Sequence, residues 1–276
     1  MGVTARLPTR PPSPDRQLAC LMPCPFSTHS PHAGDRAARQ EDSPMQRHLI
    51  AAIAAGMCLL PTLAAAESRT LEAGTFHGID VSSGIRAVIS GGQPLSVVAD
   101  SPNAADLTDL RHEVRDGILH LWYPWSINEI WSTRDITVTI GTEVLDALTA
   151  SSGAAIDAKA LIGEEIVLNA SSGANIRTNA IEGMSYDIQS NSGARIETSG
   201  LCTSAVIKVW AGASVAAREL DCANLTLESS SGASLEATAR ETVNAAVSSG
   251  ASATVYGQPK VERLETSSGG SVAFPG

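Results

Sequence analysis

The sequence predicts an all-β chain folded as a right-handed parallel β-helix, a solenoid of about 18–20 residues per coil behind an irregular β portion. Three observations predict it. The phrase Ser-Ser-Gly-Ala, or a close variant, places its glycine at Gly153, Gly173, Gly193, Gly212, Gly232, Gly250 and Gly269, with spacings of 20, 20, 19, 20, 18 and 19 residues. Around each glycine, apolar and polar residues alternate with period two. Cys202 and Cys222 occupy one and the same place in adjacent repeats, ten residues before Gly212 and Gly232.

The alternation defines the strands. Five places before the glycine stand Leu148, Leu168, Ile188, Ile207, Leu227, Ala245 and Leu264; three places after it stand Ile156, Ile176, Ile196, Val215, Leu235, Ala253 and Val272. Even offsets carry Thr149, Asn169, Gln189, Lys208 and Glu228 before the glycine, and Asp157, Arg177, Glu197 and Glu236 after it. One apolar and one polar face per segment is the pattern of half-buried strands. No 3.6-residue stripe persists, and the repeat is too short for a two-helix unit. A strand, a corner, a second strand and a return turn fit the repeat, and parallel crossovers are overwhelmingly right-handed.

The recurring phrase reads as the corner. Glycine supplies backbone freedom, the alanine after it points inward where only a methyl fits, and the serines are expected to hydrogen-bond to nearby backbone or between coils. A phrase present on every coil is a poor candidate for chemistry, because catalysis needs one distinguished copy. Stacked coils bring the Cα atoms of Cys202 and Cys222 to ~5 Å, within reach of a disulfide. A stacked pair of free thiols is the alternative, and two thiols without histidine partners fall short of a zinc site.

Four segments follow from the pattern: 1–44, 45–66, 67–142 and 143–276. Residues 1–44 are rich in Pro, Arg and Ser and lack apolar periodicity, as expected of a mis-assigned upstream stretch ahead of a true translation start at Met45, or of a disordered one. Residues 45–66 read as a secretory signal peptide, with Arg47 and His48 before an apolar run and Ala64 and Ala66 before Glu67; an uncut membrane anchor is the alternative. From Glu67 onward there are 13 Lys plus Arg against 25 Asp plus Glu. That balance disfavours nucleic acid and anionic membrane surfaces as partners. No further run is long enough to insert in a membrane. The expected location is the periplasm, the cell surface or the medium, where a disulfide persists.

Residues 67–142 keep the strands and lose the beat. "FHGIDVSSGIRAVIS" from Phe76 reads as a divergent first rung; "PLSVVADS", "GILHLWYP" and "RDITVTIG" read as strands. The order of Phe76–Gly84, "VRDGILHL", "ITVTIG" and the serial Ser-Ser-Gly-Ala corners resembles a family of exported bacterial proteins, formerly a domain of unknown function. That family is described as "putative auto-transporter adhesin, head GIN domain". The resemblance spans about residues 75–274, implies a right-handed β-helix with an adhesin-like role, and carries no catalytic residues with it.

Trp122, Tyr123, Trp125 and Trp131 lie within ten residues. They read first as a lid over the open end of the core and, alternatively, as a recognition loop for sugar rings or protein. Trp210 replaces the serine two places before its glycine and is expected to face solvent or another surface element. Asp157 and Glu197 would stand two rungs apart, ~9.6 Å, near the upper spacing of an inverting glycosidase, but Arg177 lies between them. His77, His112 and His120 form no legible Ser/His/Asp arrangement. No catalytic residue, metal or cofactor is assigned. The expected function is an exported non-enzymatic module for binding, adhesion or envelope structure, with a surface glycan or envelope protein as partner. The alternative is a polysaccharide lyase or glycoside hydrolase on the same scaffold.

Overall fold

The computed structural model describes residues 67–124 and 134–275, so the two upstream segments lie outside the described residues. The front part contains β1 (Glu67–Thr70), β2 (Gly78–Val81), β3 (Arg86–Gly91), β4 (Ser96–Ser101), a short helix α1 (Ala104–Asp109), β5 (Arg111–Arg115), β6 (Ile118–Trp122) and β7 (Thr137–Thr142). The regular part contains β8 (Ala147–Ala150), β9 (Ala155–Lys159), β10 (Ile162–Ala170), β11 (Asn175–Ser190), β12 (Arg195–Val209), β13 (Ser214–Ser229), β14 (Ser234–Val247), β15 (Ser252–Tyr256), β16 (Lys260–Thr266) and β17 (Ser271–Ala273).

Pairing among β8–β17 is parallel throughout, and its register is the one the glycine alignment predicts. Leu148 stands opposite Leu168, then Ile188, Ile207, Leu227, Ala245 and Leu264 in turn. On the other side of the corner, Ile156 leads a column through Ile176, Ile196, Val215, Leu235, Ala253 and Val272. These columns and the corner alanines Ala154, Ala174, Ala194, Ala213, Ala233 and Ala251 form the core. Each fully buried Ile or Leu contributes about 1.5–3 kcal/mol of transfer free energy, so the core grows coil by coil. Among the described residues the column ends at Leu264, which no further coil covers and which is 47% exposed. The inward position expected from the repeat is kept; its burial is not.

The corner has two residues in the left-handed region, not one. The glycines have φ of 70–78°, and the residues before them, from Ser152 to Ser268, have φ of 47–56°. Positive φ at two consecutive positions is the mark of a type I′ turn, and each turn is closed by a bond such as Ala154 N–H to Ser151 O at 3.1 Å. A Cβ on Gly153, Gly173 or Gly193 would touch nothing within 4 Å, so glycine is required there for conformation alone. Between coils the glycine N–H donates to the carbonyl one place before the next glycine, as in Gly173 to Ser192 at 3.1 Å. Backbone groups thus carry the inter-coil bond at the corner. Gly270, standing in the alanine column, differs: a Cβ would lie 2.3 Å from the Val247 carbonyl oxygen.

The front end is stacked out of sequence order. β2 pairs in parallel with β8 on one side and β6 on the other. β3 likewise lies between β9 and β7. The rung containing Ser82-Ser83-Gly84 is therefore second, and the later segment β6–β7 is outermost. Antiparallel strands then close that edge, with β5 on β6, β4 on β7 and β1 on β4. The β5–β6 turn uses Asp116 and Gly117, both at positive φ. Helix α1, capped by the Asn103 side chain accepting from Ala105 N–H at 3.2 Å, packs Leu107 into the same end.

Candidate functional site

Strands leading into each corner expose one continuous sheet face, and the residue two places before each glycine forms its outermost column. Read from the N-terminal end, that column is Trp122, Ser82, Ser151, Ser171, Asn191, Trp210, Ser230, Ser248 and Ser267, set by the β2–β6 register and by backbone bonds such as Ser82 N–H to Leu121 O at 3.0 Å. Trp122 and Trp210 thus share one column. Five rung steps separate them, ~24 Å along the solenoid. Both are half-buried, and the positions between them hold only short polar side chains.

Each tryptophan stands at a depression on this face. Beyond Trp210 the small side chains of Ser230, Ala246 and Ser248 floor a groove of about 900 Å³, edged by Lys208, Glu228, Arg263 and Glu265. Lys208 and Glu228 approach to 4.0 Å across neighbouring strands. Beside Trp122 a depression of about 350 Å³ is lined by Asp80, Ser82, Glu113, Arg115 and His120. His120 Nδ1 is 3.0 Å from Asp80 Oδ2, which orients the ring. The Ser82 hydroxyl lies 3.4 Å from that of Ser83. These groups offer donors and acceptors beside an aromatic surface, a combination suited to binding polar rings.

Tyr123 borders the same depression but is largely buried. It is 5% exposed, its hydroxyl donates to the Asp106 carbonyl at 2.9 Å, and the Arg134 guanidinium stacks 4.3 Å from its ring centroid. Burial first, and the Asp106 charge second, push the phenol well above its usual range, with Arg134 opposing. Tyr123 is therefore buried in the core at this end, whereas its neighbour Trp122 is half-buried and borders the depression. Trp125 and Trp131 lie outside the described residues.

On the opposite side of the corner, Asp157, Arg177 and Glu197 form the expected ladder. Arg177 Nε donates to Glu197 Oε2 at 2.9 Å, and its Nη1 lies 3.7 Å from Asp157 Oδ1. Arg86 and Arg195 flank the same acids at 3.7 and 3.4 Å. The hydrogen bond from Arg177 holds the Glu197 carboxyl below its ordinary value, and the same bond raises Arg177 further. Arg177 stands between the two acids and pairs with both, the arrangement of a cross-strand ion-pair ladder. His77 pairs with Asp146 at 2.8 Å, and His112 contacts the Glu72 carbonyl at 3.2 Å. Among the described residues, no three His, Cys, Asp or Glu side chains converge to hold a metal.

Cys202 and Cys222 are directly paired in the β12–β13 register and joined by a disulfide, with Cα atoms 4.5 Å apart. This resolves the sequence alternative of free thiols. The missed feature is the shared column of the two tryptophans. The glycine alignment places Trp210, but Trp122 joins it only once β6 is known to stack on β2.

Comparison with known proteins agrees with this architecture. A crystal structure described as a putative adhesin from Bacteroides fragilis matches with a TM-score of 0.70 at 15% identity, covering 76% of this chain and 97% of that one. A putative lipid binding protein from Parabacteroides distasonis matches with a TM-score of 0.60 at 13% identity, over 76% of this chain and 97% of that one. A putative adhesin from the same organism gives 0.57 at 15%, with the same coverages. Identities this low speak for the fold alone. No curated protein matches the sequence significantly. The family model described as "putative auto-transporter adhesin, head GIN domain" matches residues 75–259, well over half of the chain, and the protein belongs to that family.

Proposed function

We propose that the protein is an exported, non-enzymatic adhesin-type module that holds a surface glycan along the face leading into the corners. One observation carries the reading: Trp122 and Trp210 stand in a single outward column of a rigid sheet, each beside a depression lined with hydrogen-bonding groups. Aromatic faces stack on the apolar faces of sugar rings, and flanking hydroxyls and charges fix their orientation. The ~4.8 Å rung spacing presents polar groups at the scale of one sugar ring, which suits an extended chain lying parallel to the solenoid axis. Family membership favours a binding role, and the buried disulfide suits an oxidising compartment.

A glycan array probed with the full chain tests it, with Trp122→Ala, Trp210→Ala and Arg195→Ala compared. Either tryptophan change should weaken binding about tenfold, and the Arg195 change on the far face should leave it intact. Glycan binding indifferent to both tryptophans sinks the proposal. Binding of an envelope protein in place of glycans would move the reading to a protein partner. Release of reducing ends or unsaturated sugars would favour the lyase or hydrolase alternative, which rests on fold analogy alone.

A further inference from the structure

The C-terminal edge of the solenoid carries a second recognition surface, which shares Arg263 and Glu265 with the rim of the groove beside Trp210 but is argued independently of the glycan reading. β16 pairs with β14 along one edge, and among the described residues no strand lies along its other edge. Every residue of β16 is exposed, and two apolar residues facing the core side, Val261 and Leu264, are 41% and 47% accessible. An exposed strand edge of this kind is a template for pairing. It also lies beyond residues 75–259, the part of the chain the family model covers.

We propose that β16 pairs antiparallel with β16 of a second copy, about a two-fold axis between Glu262 and Arg263. The sequence of the strand, Lys260-Val-Glu-Arg-Leu-Glu265, is self-complementary under that operation. Lys260 meets Glu265 of the other copy, Val261 meets Leu264, and Glu262 meets Arg263. Each pair occurs twice, as an isologous interface requires. Shifting the register by one residue either way puts Arg263 against Arg263 or Glu262 against Glu262, with an apolar residue against a charge beside it.

A backbone irregularity makes the favoured register possible. Opposed residues in an antiparallel pair point to the same side, whereas Val261 and Leu264, three apart, would point to opposite sides of a regular strand. In β16 the register against β14 shifts between Val261 and Arg263, so Val261 follows the buried Val243 and Leu264 follows the buried Ala245. The extra residue at Glu262 turns both apolar side chains to the core side. Pairing Val261 with Leu264 across the axis then continues the core from one copy into the next. The ion pairs now made within the strand, Lys260–Glu262 at 4.0 Å and Arg263–Glu265 at 2.6 Å, are exposed and free to re-partner.

Sedimentation equilibrium of the full chain over roughly 1–100 µM tests the proposal. The expected result is a monomer–dimer equilibrium. Lys260→Glu, which sets Glu against Glu265 twice, should weaken the dimer about tenfold, and adding Glu265→Lys should restore it. Leu264→Asp should abolish dimerisation. All three positions are exposed, and an unchanged melting temperature of the monomer would establish that the variants fold. A wild-type monomer throughout the range overturns the proposal. So does a dimer unaffected by Lys260→Glu or Leu264→Asp, since that dimer must use another surface.

Discussion

The two ends of the solenoid solve the same problem in opposite ways. At the N-terminal end the chain doubles back, stacks a later segment outside an earlier one, and closes the edge with antiparallel strands, helix α1 and the buried Tyr123. At the C-terminal end β16 and β17 keep the regular path, and the core column runs into solvent at Leu264. The contrast teaches that a repeat residue's role depends on its neighbours above and below. An identical column position is a core residue in the middle and a surface residue at the edge.

That contrast is sharpest under a charge placed in the column. Ile176, 0% exposed between two coils, changed to Asp should cost about 4 kcal/mol or more, and the chain should unfold or lose most of its cooperativity in denaturant. Leu264→Asp, at a concentration that keeps the monomer, should cost under about 1 kcal/mol, because the new carboxylate stays hydrated. Arg177→Asp, one residue from Ile176 but outward, should also be mild. Equal losses for Ile176 and Leu264 would break the comparison.

The middle is also tied covalently. Replacing Cys202 and Cys222 together by Ala should lower stability by about 3 kcal/mol, the loop-entropy value for a separation of 20 residues, read from denaturant midpoints with and without reductant. Wild type under reductant should approach the double variant. At the N-terminal end, Tyr123→Phe should cost about 1 kcal/mol, since it removes one buried bond to the Asp106 carbonyl and leaves the ring under Arg134. A loss well above that would mean the hydroxyl organises the whole capped end.

The same end-to-middle difference governs what could be read in the sequence. A fixed spacing between glycines and a period-two alternation encode stacking directly, because each rung repeats the environment of the last. They placed Ile176 inside, Arg177 outside, and Cys202 against Cys222. Nothing local encodes that β6 stacks outside β2, since the partners are forty residues apart and the intervening chain includes antiparallel turns. The Asp116-Gly117 turn joins β5 to β6, but its hairpin gains its meaning from the rung it edges. For that reason Trp122 and Trp210 read as unrelated oddities, although they share a column. The exposure of Leu264 is likewise a property of position in the stack, not of its repeat.

The smallest expected effect lies on the outward ladder and concerns pH. Glu197 has its carboxyl lowered from 4.5, chiefly by the hydrogen bond from Arg177, against a counteracting burial cost. A folded-state value below the unfolded one means that the folded state binds fewer protons there. The stabilisation is therefore complete above about pH 4.5 and is lost as the pH falls through the lowered folded value. Both partners are substantially solvated, with side chains 52% and 31% exposed, so salt should weaken the effect. Arg177→Ala should flatten the acid limb of the stability profile and leave the neutral plateau nearly unchanged, and 1 M NaCl should shrink the difference between variant and wild type. A variant that instead lost its neutral plateau would show that the guanidinium stem packs over the sheet and supports the coil by contact rather than by charge.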